Sequence, residues 1–148
     1  MSNETMTHEF YELIKREHHE LGVALHDTEV AFEARPRDIA AVQIGVEHLY
    51  QLLDSHFTHE EEGGFLHEAI ERAPRVSRRA SELLEQHAAL RSAIASLREQ
   101  VSSADAESGT WDKSHVMFIA LMADLGKHES GENALLQEAY TEDIGTKD

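Results

Sequence analysis

The chain has 148 residues, 41% of them hydrophobic and 28% charged, which suits one soluble domain with a core of its own. It contains no cysteine, so disulfides, thiolate zinc sites, iron–sulfur clusters and cysteine nucleophiles are all excluded. A formal charge of −16 argues against nucleic acid as a partner, because a phosphate backbone needs a basic face. No apolar run approaches the roughly 20 residues that span a bilayer, and the start, Met1 to Thr5, has no signal-peptide pattern, so no membrane partner and a cytoplasmic location are expected. Eleven histidines are the unusual count. Without cysteine, histidine and carboxylate are the main transition-metal ligands left.

Residues from about His8 to Ala34 carry Phe10, Ile14, Leu21, Leu25 and Phe32 at helical spacing, with His18 on the same seam. His19 falls instead on a mostly polar face. Arg35-Pro36 ends this helix, since the residue before proline avoids helical geometry. A second helix is expected over 38–72, with Asp38 in its first turn and the seam Ile39, Val42, Val46, Leu49, Leu53, His56, Glu60. Gly63-Gly64 weakens or bends it before Phe65-Leu66 resumes the apolar pattern up to Pro74.

The third helix is expected over 76–101, with the seam Ala80, Leu83, His87, Leu90, Ile94, Leu97. A polar loop from Ser102 to Thr110 leads to a fourth helix over 111–140, with the seam Phe118, Leu121, Leu125, His128, Glu132, Leu135, and a frayed tail from Thr141. Four amphipathic helices with short connections predict an all-α, up-down-up-down four-helix bundle forming a single domain over 1–148.

Two stretches carry the chemistry. His56-Phe57-Thr58-His59-Glu60 and His128-Glu129-Ser130-Gly131-Glu132 each place a histidine four residues ahead of a glutamate, on one helical face. Counted to the intervening turns at about 1.5 Å per residue, His18, His56, His87 and His128 fall in one cross-sectional layer, within about a turn. Helices two and four run the same way, so Glu60 and Glu132 lie on the same side of that layer and face each other across the core. Two carboxylates buried without metal or protons are strongly unfavourable, so metal is the simplest explanation of the set. Any one of these histidines taken alone reads as an ordinary core or surface residue; the convergence is the signal.

In this order and at these intervals, His18, His56-Phe57-Thr58-His59-Glu60-Glu61, His87 and His128 to Glu132 make nearly the whole chain resemble the hemerythrin-like family, the histidine–histidine–glutamate (HHE) cation-binding domain. The resemblance implies two iron ions joined by an oxo or hydroxo bridge, with bridging carboxylates. The ligand set is then His18, His56, Glu60, His87, His128 and Glu132, His18 and His56 serving one iron and His87 and His128 the other. Leu21, Leu53, Leu90 and Leu125 would line the pocket. Nitrogen and oxygen ligands of this kind also accept zinc or manganese.

Two positions depart from the oxygen-carrying hemerythrins. Their second helix-three histidine is here Arg91, and their helix-four aspartate is here Asn133, with Glu132 one position earlier. Four histidines leave more open coordination than five, which favours binding, sensing or redox reaction with dioxygen, peroxide or nitric oxide over reversible oxygen carriage. The alternative is an iron-responsive interaction module whose folding depends on metal. The residue pattern names no protein partner.

Competing motifs are missing. No glutamate stands three residues before a histidine, as ferritin-like sites need, and no His-Glu-x-x-His occurs. His59, three residues after His56, is a rival ligand if the helix rotates slightly. His26, His48, His67 and His115 read as surface or boundary residues, Glu61, Glu62 and Glu129 as a solvated acidic face, and Tyr11, Tyr50 and Tyr140 as packing residues.

Overall fold

The computed structural model describes residues 3–63, 66, 74–106 and 109–145. Four helices account for almost all of them: α1 (Asn3–Glu33), α2 (Ile39–Gly63), α3 (Pro74–Ser102) and α4 (Gly109–Gly145). α1 packs on α2, α2 on α3 and α3 on α4, and a thinner contact between α4 and α1 closes the ring. This is the expected four-helix bundle, and no strand occurs among the described residues.

The helix ends follow local chemistry. α1 stops two residues short of the Arg35–Pro36 peptide, which is cis. Asp38 caps α2 rather than opening it, accepting a hydrogen bond at Oδ1 from the Ala41 N–H at 3.3 Å. Pro74 is the first residue of α3, where its missing N–H costs nothing, so that helix starts two residues before the expected Val76. α1 and α4 run further outward than expected, to Asn3 and Gly145, because no proline interrupts those ends. The expected continuation of α2 to residue 72 falls outside the described residues except at Leu66, which is helical and buried.

The seams bury as their spacing requires. Val42, Val46, Leu49 and Leu53 on α2, Leu83, Leu90, Ile94 and Leu97 on α3, and Phe118, Leu121, Leu125 and Leu135 on α4 are all core residues. Each such side chain taken out of water contributes about 1.5–3 kcal/mol. The core is split in two. A larger cluster runs from Leu21, Leu53, Leu90 and Leu125 to Phe32 and Trp111. A smaller one gathers Ile14, Leu66, Val76, Leu83 and Leu135. Between them, in register on all four helices, lies a polar layer of His18, His56, His87, His128 and their glutamates. Apolar slabs stand above and below that layer.

α1 and α2 approach closely at Gly45, where an added Cβ would stand 2.7 Å from Thr28 Oγ1. Thr28 is fully buried, and its hydroxyl donates to the Ala24 carbonyl at 2.8 Å. Among the described residues, no helix is long and apolar enough to cross a membrane.

Candidate metal centre

The six residues singled out by spacing come together. Ligand atoms of Glu60, His87, His128 and Glu132 lie within 4.8 Å of one another, and so do those of His18, His56 and Glu132. Glu132 belongs to both groups. One group contains His18 and His56, the other His87 and His128. Glu60 groups with the second pair, and its Oε1 also stands 3.0 Å from His56 Nε2.

Every imidazole presents Nε2 to the centre. His18 Nε2 is 2.7 Å from Glu132 Oε1, and His128 Nε2 is 3.3 Å from Glu132 Oε2. His87 Nε2 is 3.6 Å from Glu60 Oε1. The other nitrogen of each ring is tied to a neighbouring helix. His56 Nδ1 on α2 donates to Glu17 Oε1 of α1 at 2.9 Å, and His87 Nδ1 on α3 donates to Glu61 Oε2 of α2 at 2.8 Å. His128 Nδ1 on α4 donates to Gln86 Oε1 of α3 at 2.8 Å, and His18 Nδ1 on α1 donates to Asn133 Oδ1 of α4 at 2.8 Å. These bonds fix the tautomer and orientation of each ring and raise the basicity of Nε2.

The ring of supports runs one way around the bundle, each helix holding the histidine of the next. Its members flank the inward residues: Glu17 and Gln86 precede His18 and His87, while Glu61 and Asn133 follow Glu60 and Glu132. One residue along a helix is a rotation of about 100°. In a right-handed helix, a step back on an upward helix and a step forward on a downward one turn the same way about the bundle axis. The alternation of before and after is therefore what antiparallel helices need.

The electrostatics are set by acidic and basic groups buried side by side. Burial, together with hydrogen bonding to Glu132, pushes the Glu60 carboxyl up to about 9. Burial acts on Glu132 in the same direction, but hydrogen bonds from Glu60, His128, His18 and His56 hold it well below the usual carboxylate range. Burial opposes charge on His56, yet hydrogen bonds to Glu132, Glu17 and Glu60 outweigh it and push the imidazole up to about 12. Burial and the nearby His128 push His87 down, against its bond to Glu61. These contacts are close but poorly aligned: among the described residues, the buried atoms His56 Nε2, Glu60 Oε1, His87 Nε2, His128 Nε2 and Glu132 Oε2 have no hydrogen-bond partner of good geometry. Such orphans are costly, and metal ions would satisfy them together.

Several neighbours differ from their sequence reading. His59 is exposed and its Nδ1 lies 2.6 Å from Glu17 Oε2, so its ring is directed at a support and not at the cluster. Glu61 is partly exposed, as expected of it, but it also accepts from His87 and pairs with Arg91. Glu129 is half-buried, and its Oε1 is buried with no hydrogen-bond partner among the described residues. Glu62, His19, His26 and His48 are exposed, and His115 is half-buried, its ring stacked on Phe32 at 4.9 Å. His67 and the Tyr140 side chain lie outside the described residues.

Glu17, Gln86 and Phe57 were not singled out from sequence. The Phe57 ring stacks on His87 at 4.1 Å and meets His128 edge-on at 5.7 Å, walling that half of the cage. A signal did exist for Glu17 and Gln86, since both adjoin an inward-facing histidine. Arg91 occupies the position of the missing fifth histidine. Its guanidinium lies over Phe57 at 5.4 Å and is held outward by Glu61, Thr58 and Asp54.

No curated protein and no solved structure matches the chain significantly. A family model, described as the hemerythrin HHE cation binding domain, matches residues 9–140. With its four-helix bundle and its largely buried layer of histidine and glutamate, the chain belongs to the hemerythrin HHE cation-binding family.

Proposed function

We propose that this chain is a single-domain non-haem di-iron protein whose centre binds, senses or reacts with dioxygen, peroxide or nitric oxide. The carrying observation is the pair of ligand groups sharing Glu132, with most of their inward atoms buried and without a well-formed hydrogen bond among the described residues. His18, His56, Glu60, His87, His128 and Glu132 would hold the ions, and a bound iron pair would supply redox chemistry and open coordination positions. The chain's own part is to orient four imidazoles through Glu17, Glu61, Gln86 and Asn133, and to exclude bulk water with Leu21, Leu53, Phe57, Leu90 and Leu125. A groove of about 460 Å³ between α3 and α4 reaches His128 and Gln86 and offers small molecules an approach. Arg91, turned outward, supplies no fifth imidazole, which favours reaction or sensing over protected oxygen carriage.

Metal analysis with an optical spectrum, on protein expressed with iron, tests this. About two irons per chain, with near-ultraviolet bands that change under dioxygen, peroxide or nitric oxide, are expected. Zinc or no metal under those conditions sinks the di-iron reading. Consumption of peroxide by the loaded protein separates an enzyme from a sensor.

A second reading, an iron-responsive interaction module, is favoured by the thin α1–α4 contact, which the polar centre bridges. Loss of most helicity on chelation would select it; an unchanged bundle would remove it.

A further inference from the structure

We propose that Arg91 positions the acceptor of His87 and makes the His87–His128 half of the centre the more electron-poor of the two; this rests on the two-metal reading above. The supports of the two halves are otherwise matched. Each half has one imidazole backed by a carboxylate and one backed by an amide: Glu17 behind His56 and Asn133 behind His18, Glu61 behind His87 and Gln86 behind His128. What stands behind the two carboxylates differs. Glu17 meets the imidazole of His59 at 2.6 Å, whereas Glu61 meets the guanidinium of Arg91, a permanent charge.

Arg91 reaches from α3 to one stripe of α2. Its Nη1 donates to Glu61 Oε2 at 2.5 Å, the same oxygen that accepts from His87 Nδ1 at 2.8 Å. Its guanidinium lies 5.4 Å from the centre of the Phe57 ring, and that ring stacks on His87 at 4.1 Å. Thr58 Oγ1 at 3.3 Å and Asp54 Oδ1 at 3.6 Å hold the rest of the fork. An arginine that merely joined two helices would need none of these partners to touch a ligand, yet two of them touch His87. A carboxylate behind an imidazole raises the basicity of its inward nitrogen. A guanidinium on the same oxygen takes up part of that negative charge, so His87 Nε2 gives less electron density to an ion than His56 Nε2 does. The added positive charge also opposes the higher oxidation state of a nearby ion. Both effects raise the reduction potential of this half.

The test is the reduction potential of the iron-loaded protein, read by spectroelectrochemical titration, in wild type, R91M, R91K, E61Q and the E61Q/R91M double variant. R91M keeps an unbranched, helix-favouring side chain but loses the charge. It should raise the ratio of oxidised to reduced centre at fixed poise by about 10-fold, a potential about 59 mV lower for one electron. R91K, which keeps the charge, should recover most of that shift, and E61Q should move the potential upward. In the E61Q background, removing Arg91 should do much less, because the carboxylate it acts through is gone. R91M or E61Q at the wild-type potential, or an Arg91 effect as large with E61Q as without it, would overturn the proposal and leave the two-metal reading standing. A wild type that takes up fewer than two irons overturns both. The metal-free protein gives an answer that needs no iron. Exchange of the His87 Nδ1 proton, followed by nitrogen-15 NMR on histidine-labelled protein, should be at least about 10-fold faster in R91M than in wild type, and equal rates end the positioning role.

Discussion

His18 Nε2 stands 2.7 Å from Glu132 Oε1, and this contact joins the first helix to the last across the thinnest of the four helix interfaces. The same ring reaches Asn133 through its other nitrogen. Closure of the bundle therefore uses the polar layer beside the apolar packing of Phe32 against Trp111 and Phe118. Metal bound there should tighten this seam. At a free concentration 100 times the dissociation constant, an ion that binds only the folded state adds about 2.7 kcal/mol of stability. Thermal unfolding with and without metal, paired with hydrogen exchange along α1, measures it; a melting temperature indifferent to metal would contradict the expectation.

Glu132 belongs to both ligand groups and His18 to one. H18A should lose one of two ions, E132A should lose both, and H19A, at an exposed position, should lose none. Equal losses from all three variants would show that metal binding does not follow the geometry of the cage.

Removing a support should weaken metal without unfolding the chain. E17A deprives His56 Nδ1 of its acceptor, and an apolar replacement of Gln86 does the same to His128. Each should cost about 10- to 100-fold in metal affinity with helicity retained. Titration with a metal competitor reads the change directly.

The metal-free protein should lose stability as pH rises from about 6.5 to 9. Glu60, raised by burial and by its bond with Glu132 to about 9, and His56, raised to about 12 by hydrogen bonds that outweigh burial, both keep protons that the unfolded chain has released in that window. More protons on the native state mean a stability that falls with pH. Metal needs those protons gone, so its binding should release protons and strengthen over the same range. Denaturant midpoints of metal-free protein at several pH values, beside metal titrations in weak buffer, check both signs.

Two glycine substitutions should move stability in opposite directions. Gly22 is exposed within α1 with open space around its absent side chain, so G22A should stabilise by about 1 kcal/mol through helix propensity. At Gly45 the new methyl would meet the buried Thr28 hydroxyl at 2.7 Å, and overpacking of this kind costs about 1–3 kcal/mol, offsetting or exceeding the same gain. Melting temperatures a few degrees above wild type for G22A and at or below it for G45A are expected.

By itself, the sequence determined the seams and therefore the cage. Helical periodicity depends only on local geometry, so Leu53, His56 and Glu60 had to share a face, and counting to the turns set the four histidines at one depth. Tertiary structure decided what stands behind each ring. A bundle whose helices circled the axis in the opposite sense would keep the same seams, yet Glu17, Glu61, Gln86 and Asn133 would then reach different neighbours. No periodicity distinguishes those two arrangements, because both bury the same stripe. The side on which α4 meets α1 settled the rest: it turned Asn133 onto His18, so that the first and last helices hold one ring between them.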